Sequence, residues 1–251
     1  MRYLGLEFYK LKRRYVFLTA LVLFLAETVI CDYSIHNSIT RHGVTAMPWE
    51  GLLMQITALN GLFCPVILAV VSSRICDAEH KGDTWKLLEC CSERISSLYR
   101  AKFLCTMILV AAAQAIQFAA CIAFGVSEKF PLPLPANEFL TAYFGTLLID
   151  VGVLAVQQFL SMAYRNQFVA LIGGLVGAFV GFAGSLFPNG IRRLFIWGYY
   201  IELSPAVTAE TNKGIYGLAP VTVDLPLIAG VFVFGLLLCS LGRRYLMQKE
   251  M

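Results

Sequence analysis

Apolar residues fall along this chain in long, nearly unbroken runs, and those runs define its elements. Six segments approach or reach the roughly 17–25 apolar residues that one helix needs to cross a bilayer core: 15–31, 52–71, 103–126, 138–163, 168–187 and 225–241. The first is as short as the last, and it contains Glu27. Solid apolar runs predict helices, because strands of a membrane barrel alternate in polarity and no open sheet edge survives in lipid. Ahead of the first run, Leu4, Phe8, Leu11 and Tyr15 recur at steps of four, three and four. That spacing predicts one helical face, with Glu7, Lys10 and Arg14 on the other. Residues 1–14 therefore read as a short amphipathic helix lying in the membrane interface and turning into the first span.

Composition agrees with this reading. Hydrophobic residues make up 58% of the 251 positions, charged residues only 14%, and mean hydropathy is +0.70. A soluble domain carries roughly 25% charged residues, so soluble globular, disordered and nucleic-acid-binding classes are excluded. The chain reads as an all-α integral membrane protein with six spans. No small-x-small cleavage site follows Ala26, and Ile30 is too large for the position before a lipoprotein cysteine at Cys31, so the first span is expected to be retained.

The basic residues give an orientation. With the N-terminus in the cytoplasm, fifteen lie inside and five (Arg41, Lys129, Arg192, Arg193 and Lys213) outside. An even number of spans returns the C-terminus to the cytoplasm. The one long inner connection, 74–102, sets Asp77, Glu79, Asp83, Glu89 and Glu93 against six basic residues; an anionic-lipid anchor would be one-sidedly basic. Within it Asp83 or Thr84 can cap a helix containing Trp85, Leu87, Leu88 and Ile95. A short charge-balanced helix with apolar side chains points to a protein partner below the membrane, in preference to packing on its own bundle.

Other features mark candidate sites. Asp150 lies midway along the fourth span, where a charge costs roughly 2.5–3.5 kcal/mol on insertion scales. Gln114, Gln117, Asn60, Gln157 and Gln158 could hydrogen-bond it, and Glu27 is a second acid in a span. Asp150 could serve a transport pathway or join helices. Gly173, Gly177 and Gly181 recur at every fourth position of the fifth span, a spacing that lets backbones approach closely; helix packing within the chain and a dimer seam both fit. Residues 188–224, with Leu194, Phe195, Ile196, Trp197, Tyr199 and Tyr200, predict a re-entrant or surface-lying helix on the outer side, while Pro131, Pro133 and Pro135 stiffen the link between the third and fourth spans. The eight cysteines form no disulfide framework; Cys31 and Cys121 alone lie near the outer face, and Cys90-Cys91 lacks metal-ligand spacing.

Nucleotide-binding and hydrolytic motifs are missing. There is no GxxxxGK[ST] to cradle phosphates, no His-Glu-x-x-His and no GxSxG elbow. No pair of matching broken helices suggests a secondary carrier. The chain itself is thus expected to bind no cofactor and to catalyse nothing.

Two segments carry a resemblance. Leu6-Glu7-Phe8-Tyr9-Lys10-Leu11-Lys12-Arg13-Arg14 resembles the opening of ABC-2-type permeases. Glu79-His80-Lys81-Gly82-Asp83-Thr84-Trp85-Lys86-Leu87-Leu88, followed by Leu98-Tyr99-Arg100-Ala101-Lys102-Phe103, is similar to their first cytoplasmic loop. The resemblance is nearest to the lantibiotic-immunity permeases; its motifs cover about a fifth of the chain and the rest agrees in layout. Where relatives often have a proline after the Trp-Lys helix, this chain has Cys90-Cys91-Ser92. The resemblance implies a six-span ABC-2 (type V exporter-like) permease in a bacterial cytoplasmic membrane. It would pair with itself or, preferentially, with a sister permease, and sit on two ATP-binding subunits that hold ATP and Mg. Its first cytoplasmic loop would be a coupling helix docking through Glu79, Thr84, Trp85, Leu87 and Leu88. Its substrate would be a cationic antimicrobial peptide removed from the membrane. Competing expectations are an ion- or proton-coupled carrier or channel built on Asp150, and a membrane sensor subunit.

Overall fold

A computed structural model describes residues 2–11, 15–82, 95–186, 189–212 and 215–249. Helix α1 spans Arg2–Leu11, α2 Val16–His42, α3 Pro48–Gly82, α4 Ile95–Ser127, α5 Ala136–Ala163, α6 Gln167–Ala183 and α7 Leu225–Lys249. Five of these, α2, α3, α4, α5 and α7, are long and apolar enough to cross a membrane, whereas α6 is shorter at 17 residues. The mostly helical membrane architecture read from the apolar runs is therefore present. Several helices outrun their apolar stretches: α2 continues to His42 and α3 to Gly82. An apolar run marks what lipid can cover, while the helix persists wherever its backbone remains paired.

The helices run antiparallel in sequence. One end of the bundle, the loop end, holds α1, the close of α3, the start of α4 and the close of α7; there Cys76, Tyr99, Met162 and Leu246 form a small buried cluster. The opposite end holds a hairpin. Helix α3 lies centrally, packed on α2, α4, α5 and α6, and α5 packs on α7. At the hairpin end Trp49 donates to the Leu132 carbonyl at 2.9 Å and meets Phe130 and Phe139 edge-on, which ties down the proline-rich link after α4.

Two expectations need correction. The stretch expected to be a single re-entrant or surface-lying helix contains one helical turn (Asn189–Arg192), a 3-10 helix (Ile196–Leu203) and then two antiparallel strands, β1 Ala206–Asn212 and β2 Ile215–Pro220. The aromatic run is helical as expected, but Asn212-Lys213-Gly214 between alternating segments is a hairpin signal, and the all-α description gives way to a mostly helical one. The second correction concerns α1. Leu4, Phe8 and Leu11 pack on the core of the bundle, and Glu7 is buried beside them at 2% exposure. Positions 4, 7, 8 and 11 share one helical stripe, so Glu7 belongs to the packed face. Tyr15 does not continue that face: it stands 70% exposed, in the left-handed region at φ 53°, where the chain turns into α2.

Candidate functional site

The loop end contains a closed circuit of charges. Lys102, on α4, is fully buried. Its Nζ donates to Glu7 Oε2 at 2.9 Å, to Glu79 Oε2 at 2.7 Å and to the Ile75 carbonyl at 3.2 Å, which occupies all three of its donors. The second oxygens of both glutamates accept from Lys10, at 3.2 Å from Glu7 Oε1 and 3.1 Å from Glu79 Oε1. Glu7 and Glu79 are each 2% exposed, Lys10 39%. The circuit is neutral, alternates in sign and joins three elements: α1 supplies Glu7 and Lys10, α3 Glu79, α4 Lys102. Burying three charges, Glu7, Glu79 and Lys102, costs heavily unless each is paired and its hydrogen-bonding capacity filled; alternation, closed by the half-exposed Lys10, meets that condition.

Glu79 and Lys102 flank the cytoplasmic loop of the sequence reading. The expected coupling helix, with Thr84, Trp85, Leu87 and Leu88, lies outside the described residues. Glu79 itself faces the lysines inside the protein, so it holds the root of the loop and offers no exposed carboxylate to a partner.

A second polar group lies midway along the helices. Asp150, on α5, is fully buried. Its Oδ1 accepts from the Tyr200 hydroxyl at 2.6 Å and its Oδ2 from Gln114 Nε2 at 2.7 Å. Gln117 Nε2 donates to Asn60 Oδ1 at 3.4 Å. Glu27, also fully buried, lies beside Gln117 with neither carboxyl oxygen in hydrogen-bond geometry to a described residue. Sequence reasoning found the acids and Gln114 but missed Tyr200, which comes from the 3-10 helix fifty positions further on. Of the other amides proposed for Asp150, Gln158 donates to the Tyr99 carbonyl at 2.8 Å and Gln157 faces α6 at Gly173 and Gly174.

The glycines of α6 serve contacts inside the chain. A Cβ at Gly177 would collide with the Trp197 ring, and one at Gly173 would come within 2.7 Å of Leu160 Cδ1. At Gly181 it would fall 2.5 Å from the Gly61 carbonyl. That carbonyl is the one whose helical donor Pro65 cannot supply, since proline has no N–H four residues on. Here α6 lies directly on the α3 backbone. Among the described residues Cys31 and Cys121 are buried free thiols, as are Cys64, Cys76 and Cys105.

The fold is that of a mostly helical integral membrane protein, and its sequence holds no nucleotide-binding motif. Residues 3–181 match the family model described as ABC-2 family transporter protein, and the chain belongs to that family. It is a membrane permease of an ABC transporter, and membership implies an ABC ATP-binding partner. No curated protein and no solved structure matches the chain. The family match runs from α1 into α6, and so covers the charge circuit, both roots of the loop and Asp150; the 3-10 helix, hairpin and α7 lie beyond it.

Proposed function

We propose that this permease is one membrane subunit of an ATP-driven exporter that removes a lantibiotic-type antimicrobial peptide from a bacterial cytoplasmic membrane and so protects the cell. It pairs with a second permease, a sister chain in preference to a copy of itself, and the pair stands on two ATP-binding subunits that hold ATP and Mg. The observation that carries this reading is the build of the loop end. Both roots of 83–94 are anchored in the protein by buried ion pairs, as a loop that takes load from a partner requires. Thr84, Trp85, Leu87 and Leu88 form the docking face, with Glu79 anchoring it from within. The peptide class draws its support from the resemblance of the 6–14 and 79–103 segments to lantibiotic-immunity permeases.

Six crossings and an inside location for both termini belong to the same reading. Helix α1 and the end of α7 pack at the same end of the bundle, which calls for an even number of crossings. At 17 residues and about 25 Å, α6 reaches the lower limit of a span. The fifteen-to-five bias of basic residues supports a cytoplasmic loop end. Topology is tested by labelling intact cells with an impermeant thiol reagent. Lys81→Cys should stay unlabelled and Arg41→Cys should react; both sites are exposed in the bundle. The opposite pattern would reverse the assignment.

Affinity purification in mild detergent tests the function. An ATP-binding subunit and a second permease should accompany the wild-type chain, and cells should lose protection against a purified lantibiotic-type peptide when the gene is deleted. Purification without any ATP-binding protein would remove the reading. The alternative, an ion- or proton-coupled carrier or channel built on Asp150, would have a second buried acid in Glu27, whose oxygens lack described partners. Against it, both oxygens of Asp150 are occupied by Tyr200 and Gln114, as in a residue that joins helices.

A further inference from the structure

The charge circuit has more reach than anchoring a loop. Each glutamate gives one oxygen to each lysine, and Lys102 has no donor left over. Displacing any one member leaves the other three with an unbalanced charge, and losing Lys102 would leave two buried carboxylates with only the partly exposed Lys10, the costly way to break such a set. Helix α1 is also seated by Leu4, Phe8 and Leu11 on the bundle core, while its opposite side stays open, with Tyr9 76% and Leu6 44% exposed. Apolar packing can slide; the charge pairing cannot slip by a fraction of a turn and still close.

We propose that Glu7, Lys10, Glu79 and Lys102 are positioning residues that lock α1 to both roots of the 83–94 loop, so that a displacement of the loop by the ATP-binding partner is delivered to α1 and through it to α2. On this view α1 is a driven element of the transport cycle as well as an interfacial anchor. The proposal rests on the docking role given to the loop above.

The test uses the full permease with its ATP-binding partner in lipid nanodiscs. The double variant Glu7→Gln/Lys10→Gln removes the two circuit charges that α1 supplies while leaving Glu79 and Lys102 as a neutral buried pair, so the bundle keeps its fold. A companion, Lys10→Gln, breaks only the half-exposed side. The double variant should accumulate and hold the partner at wild-type levels. Amides of α1 should exchange about tenfold faster or more, as expected of a segment released from its surroundings. Adding ATP, Mg and vanadate should alter exchange in α1 and at both loop roots in the wild type, but at the loop roots alone in the double variant, with protection of cells against peptide lost. Lys10→Gln should fall between. An α1 that exchanges no faster in the double variant, or that still responds to vanadate there, would overturn the proposal. A wild-type chain that brings down no ATP-binding protein would instead sink the function reading, and the exchange rate of α1 in the permease alone would still decide the lock.

Discussion

The two buried polar regions of this permease solve one problem in different ways. At the loop end, two acids and two bases from three elements neutralise one another, and every oxygen and every Lys102 donor is used. Midway along the helices, Asp150 is held by a hydroxyl and an amide, with no basic group among the described residues bonded to it, and Glu27 has no described hydrogen-bond partner. Charge pairing is strong and intolerant of change; bonding by neutral donors can be rearranged. The loop end is thus suited to transmitting force, and the middle to joining helices α4 and α5 to the aromatic 3-10 helix.

The sharpest way to break this contrast is Lys102→Met. It leaves Glu7 and Glu79 buried with only the partly exposed Lys10 for company. The loss should be about 3–5 kcal/mol, enough to erase most folded protein, read as membrane yield and as melting temperature in detergent. A yield close to wild type would mean that the circuit carries little of the fold.

Asp150 gives a smaller and graded effect. In Asp150→Leu, the Tyr200 hydroxyl and the Gln114 amide lose their acceptor, each at about 1–3 kcal/mol for a buried unsatisfied group. In Asp150→Asn, the amide oxygen can accept from Gln114 while its nitrogen donates to Tyr200, whose hydroxyl serves equally as acceptor. That change should cost under about 1 kcal/mol, and thermal unfolding should rank wild type close to Asn and well above Leu. Equal losses for both substitutions would show that the charge itself matters there.

The smallest effect is expected at Lys81, which pairs with Asp77 at 2.8 Å on the helix surface and is 74% exposed. Lys81→Ala should change stability by no more than about 0.5 kcal/mol. The same acid–base chemistry that is decisive around Lys102 is nearly idle at Lys81, and burial is the difference.

What the sequence could reveal follows the range of the interactions. Apolar runs and the local stripe of α1 are short-range patterns, and the helices lie where those patterns predict them. The charge circuit joins residues 23, 69 and 95 positions apart, and no spacing along the chain announces such pairs. Polarity alone puts Glu7 on the wet side of an amphipathic helix, whereas its position between Leu4, Phe8 and Leu11 puts it on the packed side, where Lys102 neutralises it. Gly181 could be read as a close-approach residue from its spacing, but not that it would rest on the carbonyl freed by Pro65. Asp150 was visible as a buried acid, whereas its strongest partner, Tyr200, sat in an aromatic run that looked interfacial.

The central claim is that coupling to ATP runs through the loop end and not through the buried acid. Trp85→Ala and Asp150→Asn, purified side by side from membranes and assayed in cells exposed to a lantibiotic-type peptide, test it most directly. An aromatic anchor removed from an interface typically costs about 2 kcal/mol or more, roughly thirtyfold in affinity. Trp85→Ala should therefore insert normally yet lose both the accompanying ATP-binding subunit and the protection, while Asp150→Asn keeps both. Full partner binding and protection in Trp85→Ala, together with their loss in a normally assembled Asp150→Asn, would contradict the account.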